Sequence, residues 1–271
     1  MNKLLSFIAC VLIMLSSCSN IDENDRFIYV PPVAVGRCVL IEDFTGQTCL
    51  NCPRAAETIE KLQEQYGADT VIAVAIHSGP LALKPTASVI GLRTDLGDLY
   101  YGYWKVESQP SGLVNRKGGL TNDSQWASLV YNEIQQKATV DIKLAISNDT
   151  ITHQSHVKAT INNLGESFSG KLQLWLVEDD IKALQRMPDG KFNKEYIHNH
   201  VLRKAINGDW GEEIALGKDA TADKEADFQL ENGWKVKNMS IVAFVYNDNG
   251  VLQVTRKKLV NRSEERRVGK E

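Results

Sequence analysis

The sequence predicts an α/β domain at the N-terminal side, followed by an all-β sandwich. Three observations carry that reading. Between residues 37 and 138, buried-type apolar runs alternate with helical patterns, the signature of a layered fold with part of its sheet parallel. After Ala138 the helical periods stop, and six short alternating runs follow, separated by turn formers such as Asn148 with Asp149 and Asp248 to Gly250. A hydrophobic content of 43% and a charged content of 24% are ordinary for a globular chain, so both segments have the material for a core.

The elements follow in order. "CVLIED", Cys38 to Asp43, is short, branched and apolar and reads as a buried strand. Ala55, Ala56, Ile59, Leu62 and Tyr66 then recur at helical spacing, with Pro53 tolerated in the first turn and Gly67 as a stop. "TVIAVAI", Thr70 to Ile76, is a second buried strand. Ser78 to Pro85 carries two prolines and a glycine and reads as a loop. A mixed helical stretch runs to about Tyr103, "SGLVNR" is a short strand, and Gly118 and Gly119 make a turn. From Ser124, expected as a cap, a helix places Trp126, Leu129, Val130, Ile134 and Lys137 on one face. The six later strands are "TVDIKLAIS", "ITHQSHVKATIN", "GKLQLWLVE", "EADFQLE", "MSIVAFVYN" and "VLQVTRKKLV".

The ends are of a different kind. Lys3 followed by the apolar run Leu4 to Leu15 has the length of a signal-peptide core and is too short to span a bilayer. The run ends in Leu15-Ser16-Ser17-Cys18, which resembles the lipobox of bacterial lipoproteins; that resemblance implies cleavage before Cys18 and a lipid on its thiol. Each methylene buried in a membrane contributes about 0.8 kcal/mol, so acyl chains there would anchor a soluble domain. "SNIDENDRF", from Ser19, is a solvated acidic tether, and it resembles the tags that send Bacteroidota lipoproteins to the cell surface. The expected organisation is a signal over residues 1–17, a tether over 18–36, the α/β domain over 37–138 and the β domain over 139–261. A tail over 262–271, "RSEERRVGKE", resembles foreign sequence.

A net charge of -3 and the lack of a strong basic stripe argue against a nucleic-acid partner. Of the five cysteines, Cys10 leaves with the signal and Cys18 takes the lipid, and no cofactor beyond that lipid is expected. Cys38, Cys49 and Cys52 remain in an oxidising compartment, and Cys38 is expected to be a thiol without a role.

"EDFTGQTCLNCPR", Glu42 to Arg54, places Cys49 and Cys52 between a buried strand and a helix start. The pair reads as a redox tool, a metal clip or a staple. As a redox tool, the helix N-terminus would stabilise a Cys49 thiolate, and Cys52 would resolve the mixed disulfide. A zinc site lacks a second C-x-x-C or a suitably spaced Cys/His pair. "LIEDFTGQTCLNC" resembles the thioredoxin active-site segment, which implies that Asp43 is the buried carboxylate that deprotonates the resolving thiol. "VESQPSGLVNRKGG" resembles the segment bearing that family's cis-proline, which implies that role for Pro110. Thr48 stands where that family has tryptophan, and Leu50-Asn51 where it has Gly-Pro, so the direction of any redox chemistry is not implied.

The whole chain, with its lipobox, "FTGQTCLNCP" and "HNHVLRKAINGDWGE", is identified as resembling the Bacteroidota family named for a 28-kDa outer membrane protein. That resemblance implies an outer-membrane location and a thioredoxin-like half. The function expected is a surface binding or adhesion module, anchored by its lipid, with a protein or glycan partner. The alternative is an extracytoplasmic thiol-disulfide oxidoreductase. His77 at the end of the second strand either tunes the cysteine pair or is a polar strand end. His198 and His200, two apart, would share a face of a strand, but no third metal ligand accompanies them. Trp210 in the turn-rich "NGDWGE" either packs or anchors a partner. Thr150, in an Asp-Thr-Ile motif, is a candidate for O-glycosylation.

Overall fold

The computed structural model describes residues 35–149, 152 and 154–260. The signal, Cys18, Thr150 and the tail from residue 262 lie outside the described residues. The first segment comprises β1 (Val39–Thr45), α1 (Cys52–Tyr66), β2 (Val71–His77), α2 (Asp95–Tyr103), β3 (Ser111–Val114) and α3 (Asp123–Ile134). The second comprises β4 (Val140–Asn148), β5 (Gln154–Asn163), β6 (Phe168–Glu178), β7 (Ile181–Arg186) and β8 (Phe192–His198). It continues with β9 (Val201–Ala205), β10 (Glu212–Leu216), β11 (Thr221–Gln229), β12 (Met239–Asn247) and β13 (Gly250–Lys258).

Local chemistry explains most boundaries. α1 carries Pro53 in its first turn, buries Ala55, Ile59 and Leu62, and stops at Gly67 with φ 92°. α2 begins where the Thr94 side chain accepts from the Gly97 amide. α3 is capped by Asn122 rather than Ser124. The Asn122 side chain accepts from the Ser124 amide, and the Gln125 side chain reaches back to the Asn122 amide. Trp126 and Val130 are buried as the period requires, whereas Lys137 lies beyond the helix and is exposed.

Ten strands follow residue 138 instead of six. The four additional ones, β7 to β10, fall in Ile181–Leu216, where several facing positions are half-exposed or polar and the alternation is weak.

The strands form three sheets. The largest has eight strands in the order β13-β12-β6-β9-β2-β1-β3, with β10 paired to β6. β2 is parallel to β1 and to β9, and the other pairings in this sheet are antiparallel. The sheet is therefore continuous across residue 138: β9 lies between β2 of the first segment and β6 of the second. The described residues belong to one compact unit.

One face of this sheet is covered from both segments. Phe44, Ile76, Tyr100, Trp175, Leu202 and Phe244 share a single apolar cluster there, with α2 packed over it. On the opposite face, α1 and α3 cover β1, β2 and β3 through Ile41, Ile59, Ala73 and Trp126. Farther along that face, a three-stranded sheet, β11-β5-β4, packs onto β6, β10 and β12 through Ile142, Val157, Leu174 and Ile241. The hairpin β7-β8 is the third sheet and pairs with neither of the others.

Candidate functional site

Cys49 and Cys52 are joined by a disulfide, with Cα atoms 5.5 Å apart. The turn between β1 and α1 places Cys52 as the first helical residue. Both cysteines are buried, Cys49 to 3% exposure. Two covers account for this. The loop after β2 lies over one side, where Thr48 donates from its amide and hydroxyl to the Leu81 carbonyl, each at 2.9 Å. Gly46 is required there, because a Cβ would stand 2.5 Å from the Leu81 carbonyl carbon.

The β7-β8 hairpin closes the other side. Gln185 donates to the Cys49 carbonyl at 2.9 Å, the Arg186 amide donates to Gln47 O at 2.7 Å, and Gln47 Nε2 donates to Leu184 O at 3.2 Å. Neither glutamine has a signal in the sequence, since each acts through backbone groups distant along the chain.

The Gln109–Pro110 peptide bond is cis, and Pro110 is buried. The Gln109 carbonyl lies 3.5 Å from Cys49 Sγ, while its side-chain amide donates to Thr45 O and Ser78 O. The cis bond thus follows directly on the residue whose carbonyl meets Cys49 Sγ.

A cavity of about 470 Å³ opens on the Cys52 side. Asp43, Cys52, His77, Tyr196 and His198 line it. Asp43 and His77 come from neighbouring strands in register, Asp43 facing Ala75 and Thr45 facing His77. Three polar atoms along it are buried without a partner: Asp43 Oδ1, His77 Nδ1 and His198 Nε2.

Burial, helped by the Asp123 carboxylate, pushes the Asp43 carboxyl up to about 8. Burial pushes His198 down to about 4, against hydrogen bonds to the Leu184 and Ala183 backbone. It also holds His77 well below its ordinary value, with His198 and Arg203 adding to the effect. Burial thus favours the uncharged form of all three groups. The rings of His77 and His198 meet edge-on at 5.2 Å, and His77, the last residue of β2, lines the cavity together with Cys52.

His198 and His200 do not act as a strand pair. β8 ends at His198, and His200 takes φ 60°. The His200 amide donates to Asp179 Oδ1 at 2.8 Å and its ring lies 3.1 Å from the same atom. Among the described residues, no group of three metal-ligating side chains is placed to hold an ion. Cys38 is half-buried and its thiol donates to Asp69 O at 3.3 Å. Burial pushes that thiol up, away from the reactive thiolate form.

Trp210 packs against Tyr100 and Tyr103, at centroid distances of 4.9 and 4.4 Å, in the loop between β9 and β10.

A family model described as outer membrane protein Omp28 matches residues 97–263. A search among curated proteins finds no match. Among solved structures, HBP35 of Porphyromonas gingivalis is similar with a TM-score of 0.64 at 17% identity, over 83% of this chain and 76% of that one. A domain of the outer membrane lipoprotein Omp28 from the same organism is 28% identical over 45% of this chain and 88% of its own, with a TM-score of 0.34. No helix among the described residues is long and apolar enough to cross a membrane.

Proposed function

The chain belongs to the Omp28 family of outer membrane proteins, and from that premise we propose that it is a lipid-anchored binding module facing outward. The anchor is the lipid on Cys18, and the partner is a protein or a glycan. The thioredoxin-like segment 37–138 serves as scaffold, and the β segment forms a sandwich on the same sheet. The observation that carries this reading is the burial of Cys49. A thiol-exchange catalyst offers its attacking sulfur to a client. Here that sulfur lies beneath the Leu81 loop and the Gln185 hairpin, so the disulfide acts as a staple at the start of α1.

The second reading, a thiol-disulfide oxidoreductase, is favoured by a different observation. Asp43 and Pro110 stand beside the disulfide, and a cavity reaches Cys52. In that reading the reduced pair acts: the Cys49 thiolate attacks a client disulfide, Cys52 resolves the mixed disulfide, and Asp43, in its ionised form, takes the Cys52 proton.

A redox titration separates the two, with alkylation and mass spectrometry reading Cys38, Cys49 and Cys52 individually. The binding module predicts that Cys49 and Cys52 stay oxidised to below about -300 mV, as structural disulfides do. Interconversion between about -120 and -270 mV, with a mixed disulfide trapped in Cys52→Ser, would establish the oxidoreductase instead.

A further inference from the structure

A second concavity lies away from the disulfide. It has a volume of about 670 Å³, within the ~300–1,000 Å³ of small-molecule sites. Its wall is aromatic and is assembled from distant parts of the chain: Tyr103 and Trp104 at the end of α2, Trp210 before β10, and Tyr246 in β12. Tyr103 is 62% exposed, so its ring is open to a ligand. The rings pack on one another. Tyr103 packs edge-on against Trp104 at 5.2 Å, and Tyr246 donates its hydroxyl to Trp210 O at 2.7 Å. Around the rings stand Ser169, Lys171, Glu213 and Asp248. The indole nitrogen of Trp104 is buried and has no hydrogen-bond acceptor.

The chemistry of the cleft narrows its occupant. An organic cation is disfavoured at two of the rings, because Arg116 already lies over Trp104 and Tyr246, at 5.9 and 4.5 Å, which leaves Tyr103 and Trp210 as the rings a ligand can stack on. The Arg116 charge is in turn met by Glu42. A polyanion or nucleic acid would face Glu213 and Asp248, opposed by Lys171, which is already 3.4 Å from Glu213, and by Arg116, which is paired with Glu42. A purely apolar segment would strand the polar rim. An uncharged ligand with one apolar C–H face and a ring of hydroxyls matches both the rings and the polar rim.

The geometry points to a saccharide site: a neutral pyranoside stacks a C–H face on Tyr103 and Trp210, and its hydroxyls bond to the polar rim. This deepens the binding-module reading and rests on it for the biological setting, although the cleft itself is independent of the disulfide.

The test uses the full-length protein in detergent, titrated with neutral gluco-, manno- and galacto-configured trisaccharides. Tryptophan fluorescence and saturation-transfer NMR are the readouts. The expected result is saturable binding of at least one trisaccharide, weakened tenfold or more in Tyr103→Ala. Tyr131→Ala, which removes an exposed tyrosine on α3, leaves the affinity unchanged. Because Tyr103 is exposed, its variant is expected to fold, and an unchanged thermal midpoint verifies that. Absence of saturable binding throughout the panel overturns the proposal. So does equal affinity in Tyr103→Ala, or binding confined to charged saccharides or peptides. Such a failure leaves the redox titration untouched, so loss of the saccharide site and loss of the binding-module reading are told apart.

Discussion

Glu42 and Arg116 form an ion pair in the interior, at 0% and 4% side-chain exposure. Arg116 Nε and Nη2 both donate to the carboxylate, at 2.6 and 3.1 Å, and the guanidinium is ringed by aromatic side chains. Removing one partner of such a pair leaves the other charge buried and alone. Glu42→Gln is accordingly expected to lower stability by about 3–5 kcal/mol, measured by urea unfolding. Asp43, the next residue, carries a pH effect of opposite origin. Its carboxyl stands at about 8 in the fold and near 3.9 in an unfolded chain. The folded state therefore holds an extra proton between those values, and the stability it contributes, complete below about pH 4, is lost as the pH rises through 8. Asp43→Asn should remove that slope, so that the variant gains stability relative to the parent between pH 5 and pH 9 in denaturant titrations. Neither effect is legible from residue type alone. "IED" in a strand announces burial, but it does not say that Glu42 will find Arg116 on the far side of β3.

The β7-β8 hairpin shows what an element can do without joining a larger sheet. Its hold on the cysteine turn is largely polar, through Gln185 and Gln47. Gln185→Ala should unseat it, leaving the Cys49 and Arg186 carbonyls without their donor. The expected outcome is faster reduction of the disulfide by a small dithiol, followed by timed alkylation, and a stability loss of about 1–3 kcal/mol. The hairpin also brings His198 to His77. Both rings stand below the ordinary histidine value of ~6.5, His198 at about 4. Unfolding then takes up protons in that window, and the stability tied to the pair is lost as the pH falls from about 6.5 towards 4. The strand-turn-helix around the cysteines was legible, because a buried run, a C-x-x-C and a first-turn proline mark it locally. The hairpin was not. "IKALQR" and "FNKEYIH" are half-polar because one side of each strand faces solvent or the cavity, and no local pattern reports a side chain bonding to backbone more than a hundred residues away.

At the scale of the molecule, the change in texture near residue 138 marks a change of composition but not a break in the sheet. β9 is short and half-polar, which hides it in the sequence, yet it joins β2 to β6. The shared apolar layer beneath Tyr100 and Trp175 follows from that join. Sequence periodicity reports which face of a strand is buried and is silent on which strand lies beside it, so the two segments read as separate bodies. The position of β9 also sets a schedule for an exported chain. β1 and β2 can pair soon after they emerge, but Ala75 must wait for Val201 before its other edge is closed. Until then a parallel strand edge stands open to any other nascent chain, the condition under which slow, non-local sheets aggregate. A protein built this way depends on being kept apart from its own copies during translocation, and the stretch that ends the dependence is the one least conspicuous in its sequence.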